Sequence, residues 1–225
     1  MRRIAIIGGD SISRIDMPKT RKGWEFWSCN NLYRVKQLSK CKFDRWFELH
    51  VFKKRLFQYT RRDMVSYGDV TIKEYMEQLA ALNIPVYMQE KWDIIPKSVK
   101  FPFDNIMKQF GSYFGCSFAW MLAFALYEHI NAKNEKDKIK TIGLWGVELK
   151  GLEYYIQRPS MEYYIGLARG MGIEVIISKQ GGLCAAPWIY AYKEDHKKIL
   201  EIYTNYNVPE MRVLTLLQQA KAISE

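Results

Sequence analysis

Apolar residues in this chain gather in short runs with polar residues at their C-terminal ends. The strict alternation of a half-solvated sheet is absent, so the runs read as strands buried on both faces. The first, Ile4 to Ile7, stops at Gly8-Gly9-Asp10-Ser11-Ile12-Ser13 and predicts a parallel strand entering a turn. The run from Trp24 to Ser28 ends in Cys29-Asn30-Asn31, and that from Phe43 to Leu49 ends at His50. Val86-Tyr-Met88, Thr141 to Val147 and Ile173 to Ile177 complete the strand set.

Between these runs the period changes to that of helices. Residues 51–82 turn helical, with Tyr75, Leu79 and Leu82 in step before Asn83-Ile84-Pro85 breaks the pattern. Residues 115–130 are apolar all round, which predicts a helix buried between layers. A further helix covers about 160–170. The proline-bearing segment 89–105 reads as an irregular, lid-like excursion over the sheet. Strands alternating with helices imply right-handed crossovers. The expected fold class is therefore α/β: a Rossmann-like, mostly parallel sheet flanked by helices, spanning 1–206 as a single domain. An amphipathic C-terminal helix follows at 207–225, placing Met211, Leu214, Leu217 and Ala220 on one face for docking or for a homodimer contact.

Composition narrows the setting. With 225 residues, 48% of them hydrophobic, the chain can bury one substantial core. No apolar stretch approaches the roughly 20 residues of a membrane span, and the N-terminal run is too short for a signal-peptide core. A cytoplasmic protein is expected. Cys29, Cys41, Cys116 and Cys184 are scattered with no CxxC pair, which fits neither a zinc site nor a disulfide framework. A net charge of +10 raises nucleic acid as a partner, although the basic residues recur along the whole chain.

In open parallel sheets ligands sit beyond the carboxyl ends of the strands. Gly8, Gly9, Asp10, Ser11 and Ser13 offer backbone N–H groups and hydroxyls to a phosphate, or form a serine-capped turn. Asn30 and Asn31 suit a base edge or ribose, or an Asx turn. Arg45, Glu48 and His50 are read as alternating onto one side, with Arg45 able to pair with Glu48; His50 is the best placed of three histidines for catalysis. After Gly146-Val147, Glu148 can take a sugar hydroxyl or a metal, Tyr154 and Tyr155 can stack, and Arg158 can neutralise phosphate. Glu162, two residues after Ser160, is either a general base or a capping-box partner.

Four blocks in order resemble the bacterial glycosyltransferase family 42 sialyltransferases and related phage proteins. They are Gly8-Gly9-Asp10-Ser11, then Cys29-Asn30, then Gly115-Cys-Ser117 leading into Ala119 to Ala125, and Gly146-Val147-Glu148 followed by tyrosines. The resemblance implies a cytidine-type donor bound by the first turn, Asn30, the Ser117 region and the tyrosines. The chain departs from the family in its first turn, which lacks the family's asparagine and proline, and in having no histidine where the family's general base is expected, since His196 falls in a charged helix pattern.

The leading expectation is a nucleotide-sugar-dependent glycosyltransferase, with His50, Glu148 or Glu162 as base. If phage-encoded, it would work in the host cytoplasm, with nucleic acid as one acceptor to consider. Two alternatives stand: a non-catalytic nucleotide sponge or sensor, and a nucleoside deoxyribosyltransferase-like enzyme in which Glu162 attacks the ribose carbon. No cofactor beyond the nucleotide ligand and no metal site is read; the need for a divalent metal is open.

Overall fold

The computed structural model describes residues 1–52, 70–149 and 156–185. The chain divides into two compact units, Met1–Leu183 and Cys184–Glu225. The first carries all the elements described below. The expected helix at 207–225 lies outside the described residues.

Among the described residues seven strands form one sheet: β1 (Arg2–Ile7), β2 (Glu25–Cys29), β3 (Arg45–Glu48), β4 (Val86–Met88), β5 (Ser98–Lys100), β6 (Ile139–Trp145) and β7 (Glu174–Ile177). Their order is β5-β4-β3-β2-β1-β6-β7, and every neighbouring pair is parallel. The chain steps outward from β1 to β5, then returns to the other side of β1 for β6 and β7. Among the described residues four helices accompany the sheet: α1 (Ile72–Ala81), α2 (Phe103–Phe110), α3 (Ser117–Ile130) and α4 (Arg158–Gly170). This is a Rossmann-like α/β fold, as the solid apolar runs imply.

Strand parity divides the core. Ile4, Ile6, Trp27, Cys29, Phe47, Ile142 and Leu144 point to the face covered by α3 and α4. On the opposite face Ala5, Ile7, Phe26 and Trp145 pack with Leu38. Further along that face Trp46, Val86 and Met88 pack against Tyr75, Met76 and Leu79 of α1. The all-round apolar character of α3 has its reason here, since seven of its residues, Ala119 and Met121 to Leu126, are buried. Helix α1 begins with a reciprocal capping box, Thr71 Oγ1 accepting from the Glu74 N–H and Glu74 Oε2 from the Thr71 N–H.

Two local expectations are corrected. The segment 89–105 contributes elements to the fold, because Ser98–Lys100 is an edge strand and α2 begins at Phe103. Pro96 and Pro102 flank the strand and leave its N–H groups free to pair. Arg45 does not share a side with Glu48 and His50. It stands at odd parity with Phe47, stacks over Trp27 at 4.9 Å, and pairs with Glu128 at 2.6 Å and Glu25 at 3.9 Å. Arg2 completes an alternating network, bonding Glu25 at 2.6 Å and Glu128 at 2.9 Å. Burial alone raises the Glu25 carboxyl, but Arg2 and Arg45 reverse that and hold it below its ordinary pKa.

Where the strand order reverses, β1 and β6 leave the sheet in backbone contact. A Cβ on Gly8 would meet Gly146 O at 2.2 Å, and one on Gly146 would meet Gly8 O at 2.4 Å. Gly146 also holds φ +72, a conformation side chains rarely adopt. Gly8→Ala and Gly146→Ala should each lower Tm by about 5–10 °C. Gly166→Ala, on an exposed helical position with open space around it, should leave Tm unchanged or raise it slightly. Thermal unfolding followed by circular dichroism checks this; equal effects at all three positions would refute the role given to the glycine contact.

Candidate functional site

At the carboxyl edge of β3, β4 and β5 the surface opens into a cleft of about 950 Å³. The chain leaving β3 supplies Leu49 and His50, that leaving β4 supplies Gln89, and the end of β5 with the chain after it supplies Lys100 and Phe101 to Asn105. Across from them stand Gly115, Cys116 and Ser117, where α3 begins. The volume matches that of small-molecule sites.

The most ordered chemistry in the cleft belongs to His50. Its Nδ1 lies 2.6 Å from Glu48 Oε1, and its backbone N–H donates to the same oxygen at 3.2 Å. Glu48, the last residue of β3, is completely buried; its other oxygen accepts from the Tyr75 hydroxyl of α1. A buried carboxylate needs such donors. Glu48 thereby fixes the imidazole by Nδ1. Gln89 Nε2 donates to the Leu49 carbonyl at 2.9 Å and braces the turn that carries His50.

An aromatic wall faces this pair. Trp120 stacks on Phe114 at 3.5 Å between ring centroids and takes Phe103 edge-on at 4.8 Å; Phe114 stacks in turn on Tyr164 at 4.9 Å. Beside the wall, α3 starts without an oxygen cap and without an acid in its first turn. The Cys116 sulfur instead faces the Phe118 and Ala119 N–H groups, and burial pushes its thiol pKa up despite them. Such a helix start favours an anion.

The other residues singled out from sequence lie along the same edge but in different surroundings. Gly8 N–H donates to Trp145 O at 2.7 Å and Asp10 N–H to Gly146 O at 3.0 Å, so two turn amides are committed to β6. Asp10 Oδ1 accepts from the Ser13 N–H and hydroxyl, and the buried Arg14 guanidinium donates to Gly8 O and Gly9 O, both at 3.0 Å. Ser11 is exposed on this turn. Asn30 stands at φ +55, its N–H donating to Phe47 O and its carbonyl accepting from Trp46 Nε1. Its buried Oδ1 has no hydrogen-bond partner. Asn31 precedes a 3₁₀ turn, Leu32–Arg34, without a side-chain cap bond.

Glu148 and Arg158, the latter bonded to Glu162, clamp the chain after β7. Both Glu148 oxygens accept the Gly182 N–H at 2.9 Å. Arg158 donates to Glu162 at 2.8 Å and also to the Gly182 carbonyl. Ser160 lies inside α4 and is no N-cap: its hydroxyl accepts from the Gly115 N–H at 2.9 Å and donates to Gln157 O at 2.8 Å. Glu162 is therefore not a capping-box partner of Ser160. Tyr154, Tyr155 and His196 lie outside the described residues. Of the residues named from sequence, the cleft brings together His50 and Ser117. Sequence reasoning missed Lys100, Phe103, Phe114 and Trp120.

Compared with protein-family profiles, with curated proteins and with solved structures, the chain finds no match. The fold and cleft define it as a Rossmann-like α/β protein with a histidine–carboxylate pair at its carboxyl edge. Among the described residues no group of three or more His, Cys, Asp or Glu side chains is placed to hold a metal ion. No described helix is long and apolar enough to cross a membrane.

The His50 pKa is raised from 6.5, chiefly by the hydrogen bond to Glu48, with burial opposing. The stabilisation this adds is full below the ordinary value near 6.5 and is lost as pH rises through the higher folded value. A proton NMR titration should give His50 a midpoint above 6.5, and Glu48→Gln should return it to 6.5 or below, since burial alone then acts. A native midpoint at or below 6.5 would contradict the pairing.

Proposed function

We propose that this protein is a nucleotide-sugar-dependent transferase that works in the cleft at the carboxyl edge, with His50 as general base. The observation that carries this reading is the fully buried Glu48 holding His50 at 2.6 Å on the wall of a 950 Å³ cleft. A carboxylate-oriented imidazole is suited to taking a proton from an acceptor hydroxyl. As that oxygen bonds to the anomeric carbon, the bond from that carbon to the donor phosphate breaks. The phosphate leaves with the electron pair, and the proton rests on His50.

Two further features support a phosphate-bearing donor. The start of α3 and Lys100 meet the same cleft and favour the charge of the leaving group. Phe103 and Trp120, packed edge to face, line the cleft with apolar ring surface against which a base or sugar ring can pack. Among the three acid–base candidates, Glu162 bonds Arg158 and Glu148 bonds the Gly182 N–H, which favours His50 as the base.

A panel of nucleotides and nucleotide-sugars, read by thermal shift and then by mass spectrometry of products, tests the proposal. The expected result is a rise in Tm with a nucleotide series, because a ligand selective for the native state stabilises it by mass action. His50→Gln should keep that shift and lose turnover by about 10²–10⁴-fold. In the native protein turnover should rise with pH through the His50 midpoint, where the base becomes neutral. A shift without product would leave a nucleotide sponge or sensor. No shift near millimolar ligand would refute the donor site.

A further inference from the structure

The positive charge of this protein is unevenly distributed, and the fold collects half of the net surplus of ten on one layer. Residues 70–149 carry nine lysines, no arginine, and nine acids, so that stretch is balanced. Residues 11–44 carry eight lysines and arginines against three acids. In the structure this stretch supplies the cover of β1 and β2 on the face opposite α3. Met17 from the first loop and Val35 and Cys41 from the second pack with Leu38 into one apolar cluster on that face.

All three acids of the stretch are already engaged. Glu25 bonds Arg2, Asp44 bonds Arg21 and accepts the Phe26 N–H, and Asp16 accepts the Lys179 N–H. Arg14 is buried against Gly8 and Gly9, and Arg34 bonds Gln78. The remaining cations, Lys19, Lys22, Lys36, Lys40 and Lys42, are exposed, and none has an acidic partner within 4 Å among the described residues. Five uncompensated ammonium groups on one layer make a surface that attracts a polyanion.

We infer that the cover of β1 and β2, residues 14–42, is a docking surface for the phosphodiester backbone of a nucleic acid. The charge complementarity is to repeated phosphates, which lysines neutralise with release of counterions. The helical pieces of the layer are two three-residue 3₁₀ turns, Leu32–Arg34 and Lys36–Leu38, so it offers no amphipathic helix to lie in a lipid headgroup region. The inference is independent of donor binding, since the surface carries its charge whether or not the cleft is filled.

The test is fluorescence anisotropy of a labelled DNA duplex with the full chain, without nucleotide, across a series of salt concentrations. Two variants of equal charge change are compared: Lys36→Glu/Lys40→Glu/Lys42→Glu, and Lys133→Glu/Lys136→Glu/Lys140→Glu in the balanced stretch. Native protein should bind with steep salt dependence. The first variant should lose at least tenfold in affinity and flatten the log–log salt slope by about 2–3, as for three phosphate contacts. The second should change far less. The corresponding Lys→Gln triples, with Tm compared to native, separate loss of contact from charge repulsion and misfolding. Absence of DNA binding at low salt, equal losses in both triples, or binding only to phosphatidylglycerol vesicles would overturn the inference.

Discussion

The arrangement of the carboxyl edge depends on two glycines that touch. Gly8 and Gly146 directly follow β1 and β6 and lie so close together that neither has room for a Cβ. The β1–β6 ladder can then run to the last residue of both strands and continue as Gly8 N–H to Trp145 O and Asp10 N–H to Gly146 O. This is also where the strand order reverses, the position at which open α/β sheets usually leave a crevice. Here it is filled by backbone, with Arg14 tying the first turn from one side and Glu148 tying the chain after β7 from the other. Leu149 follows at φ +51, a conformation that costs of order 1–3 kcal/mol for such a residue and persists because its surroundings fix it.

Filling the reversal point moves the opening toward β3–β5, and that shift decides which residues can do chemistry. Strands β3, β4 and β5 end level, Glu48 opposite Met88 and Met88 opposite Lys100, and Glu48 at that last paired position has its side chain toward α1. Tyr75 meets the carboxylate from α1, and the next even position, His50, meets it from the turn. The same packing that buries α1 therefore orients the imidazole. On the other side, α3 is anchored by its apolar body, so its first turn can stay uncapped by oxygen at the cleft wall. Stability comes from the helix interior, and the polar end is left available.

Most of the fold was legible because burial on both faces leaves a plain signal. All but one of the seven strands fall on apolar runs, and α3 falls on its all-round apolar stretch. The exception is β5, Ser98–Lys100, whose three residues include one apolar side chain. An edge strand of that length has no pattern to read. Helix α2 was legible in principle: Phe103, Ile106, Met107 and Phe110 follow helical spacing, but the neighbouring prolines pointed to an excursion. The site was less legible. His50 follows from its place after a strand, whereas its partner depends on parity: Glu48 and His50 share a side, and Arg45 does not. The aromatic wall joins Phe103, Phe114 and Trp120 from three separate pieces of chain, a proximity that spacing along the sequence does not encode.

The distribution of charge follows the same division between edges. At the amino end of the sheet, Arg2, Glu25, Arg45 and Glu128 alternate in sign and satisfy one another, so charges partly withdrawn from water cost little there. At the carboxyl edge, Glu48 takes its donors from His50 and Tyr75, and Glu148 takes the Gly182 N–H. Both ends thus consume their acids internally, and the acids in the cover of β1 and β2 are consumed as well. A chain with ten more cations than anions must then carry the excess where no acid remains to meet it. Half of that excess lies on the lysine-bearing layer between β1 and β3, so the imbalance follows from how the fold uses its carboxylates rather than from the lysines alone.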